Sequence, residues 1–212
     1  MAHIHPDGWR EKHATGPAAR RIDTLEALAA GLSDDYRIFH GVHWSHVEAG
    51  HARFGGIDFA IVDAAGDVLL IEQVTGLLAE SASGLHRRTG AAAPAVTTRL
   101  AHSRDAMAVR LAALAVRPPV RVDALLHCPD HSLRDPGSAG LDPARIVDAG
   151  RRDQLAAVVR NLLPDVRADA TRQAAVCRFM ADMLRLVPDT GALIGAREVL
   201  YTRLAGGLAH WG

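Results

Sequence analysis

Lysine is almost missing from this chain of 212 residues: Lys12 is the only one, and every other basic side chain is arginine. Arginine holds charge but does not give up its proton in proteins, so amine general-base chemistry is confined to one residue in a polar N-terminal segment. Net charge is missing too. The 24 basic and 24 acidic residues balance, so no overall field draws the protein to a phosphate backbone or an anionic membrane, and any nucleic-acid contact must be local. Cys128 and Cys177 are the only cysteines. Their spacing builds neither a metal knuckle nor a disulfide framework, and a reduced, cytoplasmic location is expected. No stretch approaches about 18 uninterrupted apolar residues, and the opening M-A-H-I-H-P-D-G-W has no apolar signal region, so no membrane span or export is expected. No G-x-x-x-x-G-K-[ST] occurs, which excludes a P-loop motor within the chain, and no G-x-S-x-G marks a nucleophile elbow.

What the chain does have is a pair of aliphatic runs around a small turn, F-G-G-I-D-F-A-I-V-D-A-A-G-D-V-L-L-I-E-Q-V-T-G, from Phe54 to Gly76. The β-branched content and the Ala64-Ala65-Gly66 punctuation predict a β-hairpin. If those three residues form the loop, with Gly66 supplying the positive φ, Asp63 faces Asp67 and Asp58 falls opposite Glu72. A two-residue turn would instead put Asp58 opposite Gln73. Two carboxylates directly opposite repel unless a positive group stands between them. A divalent cation answers that need; so does protonation of one acid, or an arginine from a neighbouring helix.

The block from Leu25 to Gly76 contains D-D-Y-R-I-F-H-G-V-H-W, G-G-I-D and V-L-L-I-E-Q-V-T-G, and it resembles the nuclease-related domain (NERD) family of the PD-(D/E)xK nuclease superfamily. The resemblance covers about the first 150 residues. It implies a restriction-endonuclease-like α/β fold, a mixed sheet flanked by helices, with Asp58 and Glu72 as ligands of Mg²⁺ or Mn²⁺ and Gln73 beside them as a catalytic-site residue. Three positions depart from the family pattern. Gly56 stands where the family has Glu, Val74 where it has the motif lysine, and Arg99 where a Gln is common on the following helix. A metal-dependent nuclease would need that lysine to orient or deprotonate the attacking water, so cleavage is expected to be reduced or lost. The alternative expectation is a non-catalytic DNA-binding or assembly module. Family members are often joined to helicase or other ATPase modules, which implies such a partner here.

Along the rest of the chain, residues 1 to 16 are expected to be an irregular lead-in. His3 and His5 lack a third metal ligand at a credible spacing. Ile22, Leu25, Leu28, Ala29 and Leu32 place a helix from Pro17 to Leu32, with Glu26 on its exposed side. A strand is expected from Tyr36 to Trp44, with Tyr36, Ile38, His40 and Val42 on one side, followed by a polar loop holding His43, His46 and His51. A short strand or arm carries Arg87 and Arg88. A helix from about Ala95 to Val116 buries Val96, Leu100, Met107, Leu111 and Leu114, and presents Arg99 and Arg110 on nearly one face. Those four arginines are the candidate nucleic-acid contacts, for weak, non-specific, salt-sensitive DNA binding. Strands follow at Val120 to His127 and Arg145 to Asp148. Residues 151–212 read as a helical extension on the domain formed by 1–150, with helices at Gln154 to Leu163, Ala170 to Leu186 and Ala192 to Trp211. The last carries Leu193, Leu200, Leu204 and Trp211, an apolar face that must be covered by its own domain, by a second copy in a homo-oligomer, or by another module.

Overall fold

A computed structural model describes residues 1–9, 15–48, 51–81, 83–88, 94–164 and 167–185. A six-stranded mixed sheet divides two layers of helix. The strands are β1 (His3–His5), β2 (Arg37–Glu48), β3 (His51–Val62), β4 (Val68–Gln73), β7 (Val122–Cys128) and β8 (Ile146–Asp148), hydrogen-bonded in that spatial order. Strands β2, β3 and β4 run antiparallel as a meander, whereas β4, β7 and β8 are parallel. The small hairpin of β5 (Leu78–Ser81) and β6 (Gly84–Arg87) stands apart as a second sheet. Every residue of β4 is buried, which is why its sequence is a continuous apolar run without alternation.

Helices α1 (Pro17–Gly31) and α3 (Leu155–Leu162) cover one face of the sheet, burying Leu25, Leu28, Val158 and Val159 against Ile61, Leu69 and Ile71. Helices α2 (Val96–Ala112) and α4 (Ala170–Arg185) cover the other, with Leu100, Met107, Val176 and Met180 against Val62, Leu70 and Leu126. Among the described residues no helix is long and apolar enough to cross a membrane. The C-terminal stretch from Ala192 to Trp211 lies outside the described residues.

The hairpin register follows the three-residue loop. Val62 pairs with Val68 and Phe59 with Ile71, while the Asp63 N–H donates to Asp67 O at 3.1 Å and Gly66 has φ 81°. The positive φ costs glycine nothing and would strain any side chain. Asp63 is buried under this turn. Its Oδ1 accepts the N–H groups of Ala65 (3.0 Å) and Asp67 (2.8 Å), and its Oδ2 has no partner. Burial pushes the Asp63 carboxyl above its ordinary range, with the nearby Asp67 charge acting in the same direction and the two backbone N–H groups opposing. A carboxyl raised in the folded state binds more protons there than when unfolded, so stability falls as pH climbs from the ordinary carboxylate range through the raised value. Asp63→Asn keeps an oxygen acceptor for the two N–H groups and removes the charge. Denaturation at pH 4 and pH 7 is expected to show the variant gaining on the wild type at the higher pH.

Three local expectations are corrected. His3 to His5 is a strand, parallel to β2, because Ala2 and Ile4 insert into the core at 7% and 6% exposure. The histidine-rich stretch after His40 continues as β2 and β3 instead of looping, with pairs running to Glu48 and His51; the side chains of His46 and His51 lie outside the described residues. Finally, the face alternation of β2 breaks at Gly41, whose φ is 66°. Ile38 belongs to the α1 side of the sheet, yet Val42 joins Phe39 on the α2 side. The ladder with β3 passes from His40↔Phe59 to Val42↔Ile57, leaving Gly41 and Asp58 out of the pairing.

Candidate functional site

Asp58 sits where two irregularities meet. It is skipped in the ladder with β2, and the ladder with β4 ends one residue away at Phe59↔Ile71. Past that point the strands part. The freed carboxylate reaches across, and Asp58 Oδ2 accepts the Gln73 backbone N–H at 2.8 Å, closing the fork in place of a main-chain carbonyl. Its other oxygen, Oδ1, accepts from Arg21 Nη2 of α1 at 2.6 Å.

Glu72 lies on β4 beside the same fork and is 2% exposed. An ionised carboxylate that deep needs a partner. Arg99, from the first turn of α2, places Nη2 against Glu72 Oε1, and Arg87 Nη2 at the end of β6 stands 3.8 Å from the same atom, ion pairs that leave Oε1 without a hydrogen bond among the described residues. Both guanidiniums remain open outward, with side chains 50% and 42% exposed, and Arg21 is 57% exposed. The three arginines, the two carboxylates, His43 and the backbone of Gly55 and Gly56 line one cleft of about 450 Å³.

His43 of β2 pairs with Gly56 of β3. A Cβ on Gly56 would lie 2.7 Å from His43 Nδ1, so the imidazole occupies the space a longer side chain would take there. Burial lowers the His43 pKa, and Arg21 lowers it further against the opposing pull of Asp58. The ring is therefore neutral at neutral pH. The cleft's ionised groups are three guanidiniums against two carboxylates, a surplus of positive charge in a protein that is balanced overall.

Two residues of the sequence motif face elsewhere. Val74 is 0% exposed and belongs to the core under α2, with Leu78, Leu100 and Leu126. Gln73 borders the cleft, but its amide turns to α1, where Oε1 accepts from Thr24 Oγ1 at 2.7 Å, and Nε2 is buried without a partner.

Of the four arginines singled out from sequence, the fold brings Arg87 and Arg99 together and separates the other two. Arg88 borders a different depression with Leu77, Glu80 and His131. Arg110 lies over the Trp44 ring at 5.6 Å and donates to Ala106 O, so it braces β2. Arg21 and His43 were not among the sequence candidates. They lie on α1 and β2, far in sequence from every candidate, and only the fork at Gly41 and Asp58 shows that they converge on the site.

The donor set does not fit a divalent cation. Each carboxylate is already matched by at least one guanidinium, and no group of three or more His, Cys, Asp or Glu side chains suited to a metal ion forms among the described residues. What the cleft offers is N–H donors and positive charge, the requirements of an oxyanion. Comparison of the chain with models of protein families, with curated proteins and with solved structures finds no match.

Proposed function

We propose that this chain is a restriction-endonuclease-like domain of the nuclease-related kind that has given up metal-dependent cleavage, and that its arginine-lined cleft binds the phosphodiester backbone of a nucleic acid. The order of elements supports the fold reading: a helix, a three-stranded antiparallel meander, a crossover helix and a parallel strand, with Asp58 and Glu72 at the fork of the meander. One observation carries the functional reading. Glu72, buried to 2% exposure, is matched by Arg99 and Arg87, so positive side chains stand where a nuclease would hold its metal. A nuclease uses the metal to lower the pKa of a water. Guanidiniums bind a phosphate but generate no hydroxide, Val74 supplies no base, and no lysine lines the cleft among the described residues.

A phosphodiester carries one negative charge, which offsets the surplus of the cleft. Binding of labelled single-stranded and duplex DNA is expected to be weak and indifferent to sequence, and to fall with salt. Removing one phosphate contact by Arg87→Ala or Arg21→Ala should lower the slope of log K against log salt by about 1. Arg99 is best removed together with the charge it neutralises, as Arg99→Ala with Glu72→Gln, because the single change strands a buried carboxylate. Salt-independent binding, or slopes unchanged in all three variants, would place any DNA contact elsewhere.

A further inference from the structure

On the α1 side of the sheet a second cavity, of about 370 Å³, opens between α1, the end of β7 and the start of α3. Of its lining side chains only Thr24 was met above, as the donor to Gln73 Oε1. Its floor is His127, 1% exposed at the C-terminal end of β7. His127 Nδ1 lies 3.0 Å from the carbonyl oxygen of Val147 in β8. A carbonyl only accepts, so Nδ1 carries the proton, and Nε2 of the neutral ring is left as an acceptor. Burial lowers the His127 pKa, and the Arg152 charge adds to that against the Val147 hydrogen bond and Asp130, which keeps the ring in this neutral form. Nε2 has no hydrogen-bond partner among the described residues. An acceptor without a partner, on a nearly fully buried ring that lines a cavity, can receive a donor from a bound molecule.

The remaining lining specifies what brings that donor. Ala27, Pro129 and Leu155 make apolar walls. At the rim Arg20 is tied to Asp23 at 3.2 Å and Asp130 at 2.8 Å, and Arg152 is offset by Asp153 beside it. The lining itself holds two arginines, Arg20 and Arg152, against two carboxylates, Asp23 and Asp153, so it selects neither an anion nor a cation; Asp130 pairs with Arg20 from outside the lining. The volume lies in the range of small-molecule sites built from apolar walls and a few placed polar groups.

We propose that this cavity binds a small neutral molecule combining an apolar body with an N–H or O–H donor, as a nucleobase does, with the donor directed to His127 Nε2. The body rests between Leu155 and Pro129, and the balanced rim leaves a neutral ligand at no electrostatic disadvantage. This site is independent of the arginine cleft and of the reading given to it.

The test is saturation-transfer NMR and calorimetry on the full chain with adenosine, guanosine, cytidine and uridine, with glucose as a neutral hydroxylated control lacking an apolar body. At least one nucleoside is expected to bind saturably and glucose is not. Ala27→Trp, on the exposed side of α1, fills the cavity without touching the core and should abolish binding while the melting temperature holds. His127→Gln keeps a donor for Val147 and should weaken binding at least tenfold. Absence of binding by all four nucleosides overturns the proposal, as does binding that survives Ala27→Trp or is matched by glucose. DNA binding by the arginine cleft should be the same in Ala27→Trp, so the two sites fail or stand separately.

Discussion

Arg172→Ala is expected to cost about 3–5 kcal/mol of stability, the range for removing one partner of a buried ion pair. Arg172 lies in the first turn of α4 and is 5% exposed. Its Nη2 donates to Asp67 Oδ1 at 2.6 Å and to Pro119 O at 2.9 Å, its Nε to Pro118 O at 3.0 Å, and its Nη1 to Ala65 O. One guanidinium thus ties the β3–β4 turn to the segment that enters β7. The next residue continues the tie, as Gln173 Nε2 donates to Asp35 O at 2.7 Å and Asp63 O at 2.9 Å. Truncation leaves three carbonyls without their donor, at a penalty of about 1–3 kcal/mol for each that water fails to reach, while Asp67 Oδ1 keeps the Arg121 N–H at 3.0 Å. Urea denaturation measures the loss. A change below about 1 kcal/mol would mean that water replaces the guanidinium freely and that α4 is a detachable appendage.

Val74→Lys, which would supply the lysine that the resemblance to the nuclease-related family calls for, is expected to destabilise the fold by about 4 kcal/mol or more and to confer no cleavage. Val74 is fully buried in the core under α2. An ammonium there must lose its proton to stay, and a depression of 3–5 units at about 1.4 kcal/mol per unit sets the magnitude. For a lysine whose folded-state pKa is depressed, the unfolded chain binds the extra proton, so the penalty is largest at neutral pH and fades as pH rises past the ordinary lysine value near 10. Denaturation of the variant at pH 7 and pH 10 reads that trend. The partner change Gly56→Glu places a Cβ 2.7 Å from His43 Nδ1, so it also demands that the imidazole move. A Val74→Lys protein with wild-type stability and new metal-dependent cleavage would show that position 74 opens to the cleft.

How much of this was legible in the sequence depends on how far apart the deciding atoms are. The hairpin register was legible because it is local: β-branched runs, a three-residue turn and one glycine at φ 81°. The buried faces of α1 and α2 follow their apolar spacing, with Leu25 and Leu28 on one and Leu100 and Met107 on the other. Strand β1 was not legible, since three residues carry no period and it is pairing with β2 that makes them a strand. Gly41 hid a change of face that alternation alone cannot reveal. In the candidate site, the register brought the two carboxylates to one fork, although the ladder ends at Phe59↔Ile71 before they pair, and an arginine was one of the answers left open for their repulsion. Which arginines reach them was not legible. Arg21 is 37 residues from Asp58, and Arg110, on the same helix face as Arg99, turns out to serve Trp44.

In the proposed function, arginine takes the place of metal at the fork between β3 and β4. The most direct test is one titration of purified full-length chain with labelled single-stranded and duplex DNA, at constant ionic strength, in EDTA, in Mg²⁺ and in Mn²⁺, followed for both binding and strand integrity. Binding in EDTA that divalent ions do not strengthen, with intact DNA in all three solutions, is the predicted result. Cleavage that requires Mg²⁺ or Mn²⁺ and disappears in Asp58→Ala or Glu72→Ala would contradict it, because it would mean that the guanidiniums yield their carboxylates to a metal and that the domain is a working nuclease.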